Sequence, residues 1–174
     1  MKRVGVAAAL ALLGLAGCGR GAADQNTAAA PAEAAQALTV HQIMLGQVVP
    51  ASNAVWAIQE APDDAGWKAA ADNAQKLVDA ANTLVSGEHP LLGPGETVQG
   101  GDAPGASTPA QIEDRIRTAP DDWRKHAQAM QAASLQVIAA AGAKDLDRVM
   151  DAGNTLYDTC EACHQQFWHP EQAQ

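Results

Sequence analysis

Apolar side chains recur at helical spacing in four long stretches of the chain. Between Leu38 and about Gln59 they fall at Val40, Ile43, Met44, Val48, Ala51, Val55 and Ile58, three and four residues apart, as one face of a helix requires. Pro50 lies inside this run, and its missing N–H predicts a kink or a break into two helices. Pro62-Asp63-Asp64 ends that stretch and offers a cap for a second helix. The second stripe is Trp67, Ala70, Ala71, Ala74, Leu77, Val78, Ala81, Leu84 and Val85, ending at Ser86-Gly87. Residues 87 to about 110 hold most of the internal Gly and Pro and read as a long loop. A short helical piece is expected around Ile112 to Ile116. Pro120-Asp121-Asp122 opens a third helix, with Trp123, Ala127, Met130, Ala133, Val137 and Ala141 on one face. After a tight turn at Gly142-Ala143-Lys144, Asp145 caps a fourth helix that runs to about Trp168, before Pro170. Its stripe is Leu146, Val149, Met150, Gly153, Leu156, Tyr157, Cys160, His164 and Phe167. Each helix would hold about 20 to 24 residues and span roughly 30 to 36 Å at 1.5 Å per residue. Four similar amphipathic helices with one long connection predict an all-α fold, an antiparallel four-helix bundle.

Composition agrees with that class and narrows the partners. The chain has 174 residues and weighs 17.9 kDa, enough for one domain and a tail. Hydrophobic residues make up 47 %, dominated by Ala, and aromatics only 3 %, which favours helices over a sandwich or barrel. Eleven basic residues against 20 acidic ones give a formal charge of -9. Nucleic acid is therefore excluded as a partner, since its binding rests on Lys and Arg contacts to phosphate.

The N-terminus reads as targeting. Lys2 and Arg3 precede an apolar run from Val4 to Ala16 that is too short to span a bilayer, the pattern of an export signal. It closes with Leu15-Ala16-Gly17-Cys18, which resembles a bacterial lipoprotein signal. The resemblance implies lipidation of Cys18 as the first mature residue; the alternative is an ordinary signal peptide with an incidental cysteine. Gly19 takes the place where an aspartate would imply retention in the inner membrane, so the outer membrane stays open. The expected organisation is a signal over 1–17, a flexible tether over 18–37 and a domain over 38–174. The tether is low in complexity and lacks large apolar side chains. Its alternative, an extension of the first helix, is weakened by Pro31.

The other two cysteines form Cys160-Glu161-Ala162-Cys163-His164. Cys-x-x-Cys-His reads as covalent haem attachment, each thiol adding to a vinyl group while the adjacent imidazole ligates the iron. On a helix these residues share one face, as holding a flat macrocycle requires. Three Cys and five His in 174 residues would give about 0.001 accidental matches to this pattern. A thioredoxin-type dithiol would need a βαβ context, and a zinc site a second ligand pair; neither is evident. The expected cofactor is one covalent haem c near one end of the bundle. Cys160 and Cys163 would form its thioethers, and His164 would be the proximal iron ligand.

A single such motif on the last helix resembles the class II c-type cytochromes, the cytochrome c-prime family and its low-spin relatives. HQIMLGQVVPASNAVW on the first helix and LYDTCEACHQQFW on the last carry the likeness, which extends over about Thr39 to Trp168. It implies a distal methionine from the first helix in low-spin members, and Met44 matches that position. In high-spin members an apolar side chain there covers the iron without binding it. An up-down-up-down topology independently places the end of the fourth helix beside the start of the first, so His164 and Met44 would lie at similar height. The alternatives stay open: Met44 as packing only, or His41, one turn earlier, as the ligand. His126 is expected at the same end as a solvated or core-edge histidine, Met130 as packing, and Met150 near the opposite end. Trp56 and Trp67 would flank the first turn, away from the haem. Trp123, Tyr157 and Phe167 line the haem or merely pack, His169 is exposed, and Arg124 meets a propionate or stays a solvated charge.

Together these expectations describe a periplasmic, lipid-anchored one-electron carrier, not an enzyme. Its acidic surface would favour a redox partner with a basic patch. The runner-up is a five-coordinate haem protein that binds nitric oxide or carbon monoxide. A weaker third reading is peroxidase-type catalysis with His41 as the acid–base group. Family members often dimerise through their first two helices, so a homodimer is allowed.

Overall fold

The computed structural model describes residues 37–98 and 105–170. The expected signal, Cys18 and nearly all of the expected tether lie outside the described residues. Among the described residues there are helices and no strands: α1 (Val40–Ile43), a π-helical turn (Met44–Val48), α2 (Val49–Trp56), α3 (Asp64–Ser86), α4 (Pro109–Thr118), α5 (Pro120–Gly142) and α6 (Leu146–Phe167).

Pro50 does not break the first helix. Met44, Val48 and Val49 all keep right-handed helical backbone angles, so α1, the π turn and α2 form one continuous rod. In a regular α-helix the Pro50 ring would collide with the carbonyl of Gly46, four residues back. Here the Val49 N–H reaches five back, to the Met44 carbonyl, and the widened turn gives the ring room. The rod begins at a capping box, in which Thr39 and Gln42 satisfy each other's backbone N–H groups at 3.0 and 3.2 Å.

The other long helices start and stop on side-chain signals. Asp63 Oδ1 accepts from the Gly66 N–H at 2.8 Å at the start of α3, and Asp145 accepts from the Arg148 N–H at 3.1 Å at the start of α6. The expected short piece is longer, Pro109–Thr118, because a Thr108–Gln111 capping box and Pro109 nucleate it. Between α5 and α6, Lys144 takes the left-handed conformation at φ 54°. The bonds Lys144 N–H to Ala141 O and Asp145 N–H to Ala140 O close the helix end.

Long-range bonds fix how the helices lie. The Trp123 indole at the start of α5 donates to the Leu84 carbonyl near the end of α3 at 3.2 Å. Lys144, just past α5, pairs with Asp64 at the start of α3 at 2.6 Å. The α6 helix packs along α5 and touches α2, where the Trp56 indole donates to the Gly153 carbonyl at 3.0 Å. Near the Asp64–Lys144 end the core is Trp67, Ala70, Ala140, Ala141 and Val149. The middle layer is Val55, Ala74, Val137 and Ala152. Larger side chains, among them Ile43, Leu77, Leu84, Leu91, Met130 and Leu156, form the core toward the other end. Two residues expected on the α6 stripe are instead exposed, Met150 at 40 % and Tyr157 at 53 %. Both sit at the margin of the buried arc centred on Val149, Gly153, Leu156 and Phe167.

Candidate functional site

The end with the larger side chains encloses a cavity of about 370 Å³, inside the range of roughly 300–1,000 Å³ usual for cofactor clefts. One wall is the last third of α6, bearing Cys160, Cys163, His164 and Phe167, with Trp168 beyond it. The facing wall is the first helical rod, with Val40, His41, Met44, Val48 and Trp56. Leu91, Leu92 and Val98 of the long connection, Ile112 and Ile116 of α4, and Trp123, His126 and Met130 of α5 complete it. The structure thus brings Met44 to the same space as the Cys-x-x-Cys-His residues. Trp56 also lines it, away from its expected place at the opposite end, because the cavity extends along the rod into α2.

Burial sets the protonation of the α6 groups. Both cysteines are free. Burial pushes the Cys160 thiol up to about 11, with the Glu161 charge adding to it, and Cys163 to about 12, where ionisation of Cys160 would add to it. At neutral pH both are therefore neutral thiols, unlike the electropositive thiolates of redox-active dithiols. Burial holds His164 below the usual histidine value, against the pull of Glu161. Its ring is thus neutral, the form that ligates a metal. Trp168 meets the His164 ring edge-on at 5.4 Å and 90°.

His41 lines the cavity half-buried, with Nδ1 3.5 Å from Glu96 Oε2. Glu96 also accepts from the Gly93 N–H at 2.7 Å, Thr39 Oγ1 at 3.0 Å and Gln42 Nε2 at 2.7 Å. The Gly93 bond contributes most to holding the Glu96 carboxyl below its ordinary range. His89 bridges the Leu38 and Thr83 carbonyls, each at 2.8 Å, and the Pro90 and Leu91 carbonyls accept the first N–H groups of α1. The described first part of the long connection is therefore fastened over the start of α1.

His126 lines the cavity and shares a 2.7 Å hydrogen bond with Gln166. Met130 is buried at 6 % and packs. Arg124 pairs with Asp121 at 2.5 Å on the surface, the solvated alternative. His169 is half-buried rather than exposed, stacked on Trp168 at 4.6 Å. Its Nδ1 and the Trp168 Nε1 are buried without partners. The residue that sequence reasoning missed is Arg115, which donates to Ser107 Oγ at 2.6 Å and to the Phe167 carbonyl at 2.8 Å, tying α4 to the end of α6.

The donor set fits a c-type haem: two neutral thiols and a neutral imidazole on one wall, a thioether on the facing wall, and apolar side chains between. Among the described residues no cluster of three or more His, Cys, Asp or Glu side chains is placed to hold a bare metal ion. Such an apolar, thiol-edged space is of the kind a c-type haem would occupy. Residues 97–168 match the family model described as Cytochrome C', which supports a class II c-type cytochrome of the cytochrome c-prime family. No curated protein matches the chain, and no solved structure matches it.

Proposed function

We propose that this chain is a periplasmic one-electron carrier built on an antiparallel four-helix bundle with one covalently attached haem c. Cys160 and Cys163 hold it by thioether bonds, His164 is the proximal ligand and Met44 the distal one. The observation that carries the reading is the position of Met44 in the wall facing Cys160, Cys163 and His164. The haem supplies a one-electron couple, and a thioether opposite an imidazole raises its potential. The apolar walls exclude water, and the rod, fastened by the long connection, keeps Met44 in place. The protein acts as a carrier, not as an enzyme. Export follows from residues 1–17, and Cys18 anchors the chain to a membrane. Among the described residues no helix is long and apolar enough to cross one.

Electronic absorption and electron paramagnetic resonance of the holoprotein in both oxidation states test this. A low-spin ferric spectrum with a sulfur-to-iron charge-transfer band, lost in Met44→Ala, is expected. A high-spin spectrum that the substitution leaves alone, with rapid nitric oxide binding, overturns the Met44 assignment and favours gas binding.

A further inference from the structure

Three apolar side chains stand uncovered at the lip of the haem cavity. Leu45 is 44 % exposed, Val49 43 % and Tyr157 53 %, and all three line the cavity. Leu45 and Val49 lie one turn apart on the first rod. Tyr157 lies on α6 one turn before Cys160, and its ring meets Trp56 edge-on at 5.9 Å. One exposed apolar side chain is ordinary on a protein surface. Three that converge from two helices on one cofactor cavity form a site where another molecule lands.

The charge around this lip selects the occupant. Residues 40–56 contain no Asp, Glu, Lys or Arg. Residues 151–167 of α6 contain Asp151, Asp158 and Glu161 and no Lys or Arg. Asp158 is exposed, and Glu161 is half-buried at the cavity. The lip is therefore apolar at its centre and purely acidic along its α6 side. A second copy related by two-fold symmetry would present the same patch, setting these acids against each other with no base between. A membrane surface carrying anionic lipid would repel them.

Resting on the electron-carrier reading, we propose that Leu45, Val49 and Tyr157, with Glu161 at the cavity and the exposed Asp158 next to Tyr157 in the chain, form the docking surface for a redox protein with an apolar centre rimmed by Lys or Arg. Docking there brings the partner to the haem edge of the cavity. A bound haem would supply the one electron that such a partner, in its oxidised state, takes up, with no bond formed or broken and no proton moved. The apolar centre sets how long the complex lasts, and the acids set how fast it forms.

The test uses the holoprotein with a basic class I cytochrome c as the probe. Stopped-flow rates are taken across ionic strength and normalised to each variant's oxidation by a small complex ion. Chemical-shift mapping of the complex locates the contact. Asp158→Lys should lower the rate at low salt about tenfold and flatten its salt dependence. Asp147→Lys, the same charge change at the other end of α6, should change it less than about twofold. The pair Leu45→Asn and Val49→Asn should weaken the complex about tenfold at every salt concentration, with wild-type shifts centred on residues 45, 49 and 157. Equal effects of Asp158→Lys and Asp147→Lys would overturn the proposal, since only net charge would then matter. So would a normalised rate indifferent to the Leu45 and Val49 changes. Dissociation of a dimer by those changes in sedimentation would assign the lip to a second copy. Loss of flotation with phosphatidylglycerol and phosphatidylethanolamine vesicles would assign it to a membrane. If the wild type exchanges electrons with neither the small ion nor the protein, the carrier reading fails, and this surface with it. Exchange with both, indifferent to the lip, overturns the surface alone.

Discussion

Two helical glycines test the packing around the haem helix with opposite expected signs. Gly153 lies inside α6, where α2 crosses it, and Gly66 lies in the first turn of α3. Glycine in a helix interior costs about 0.8–1 kcal/mol relative to alanine. A Cβ at Gly153 would meet Trp56 Cδ1 at 3.6 Å and Val55 Cγ1 at 3.9 Å, which is ordinary van der Waals contact. Gly153→Ala should therefore stabilise the holoprotein by about 1 kcal/mol, a rise of roughly 2–4 °C in Tm for a chain of this size. A Cβ at Gly66 would stand 2.4 Å from Pro62 Cβ. The proline ring is stiff, so the backbone must shift and disturb the Asp63 cap. Overpacking of this kind costs about 1–3 kcal/mol and outweighs a propensity term that is smaller in a first turn. Gly66→Ala should lower Tm. Thermal unfolding followed by far-ultraviolet circular dichroism reads both. A lower Tm for Gly153→Ala would mean that α6 lies closer to α2 than described, and the reasoning would fail. Gly153→Leu adds a site readout, since a larger side chain must displace Trp56 and break its 3.0 Å bond to the Gly153 carbonyl. Because Trp56 lines the cavity, the haem absorption bands should shift in Gly153→Leu and not in Gly153→Ala.

Two further outcomes follow from the site. Arg115→Met leaves the Phe167 carbonyl and Ser107 without their donor, and should cost about 1–3 kcal/mol in denaturant unfolding; a loss below a few tenths would show that this clasp does not hold the end of α6. In the haem-free chain, Cys160 and Cys163 ionise near 11 and 12 instead of 9.0. Groups whose value rises on folding stabilise the fold below the unfolded value and lose that effect as pH climbs through the folded one. The haem-free chain should lose stability between about pH 9 and 12 more steeply than a holoprotein in which, under the proposed function, both sulfurs would be thioethers; parallel alkaline profiles would contradict this.

The four long helices were legible because their signals are local. Asp63 and Asp145 cap where the stripes begin, and the turn after α5 ends where the small residues cluster. Thr39-x-x-Gln42 and Thr108-x-x-Gln111 carried the same kind of signal and would have set the starts of α1 and α4. Pro50 was harder. Periodicity says that a proline interrupts a helix but not whether the chain breaks or widens, since that depends on which carbonyls find other donors. The exposure of Tyr157 and the burial of His169 depend on neighbouring helices, to which a stripe drawn on one helix is blind. Glu96 and His89 act on α1 from more than 50 residues away, and no local pattern announces such a bond.

Where the cavity lies was also written in the distribution of side-chain sizes. Alanine lets helices approach closely, and it dominates the layers around Ala70, Ala74, Ala140, Ala141 and Ala152. Toward the ends of α3 and α6 and the start of α5, the inward positions turn to Leu84, Trp123, Met130 and Phe167. The cavity lies among these larger side chains. A small-residue end and a large-residue end of the same helices thus follow one sequence gradient. A macrocycle joined to Cys160 and Cys163 would need the cavity end, where a second wall faces α6. The rod carrying Met44 supplies that wall, and the π turn beginning at Met44 lets Pro50 sit in it without a break. Thioether attachment would require two cysteines in a fixed local spacing with the histidine beside them, a pattern that reads directly from the chain. A distal ligand requires only nearness in space, so Met44 became a candidate through topology and resemblance; it lines the same cavity as Cys160, Cys163 and His164.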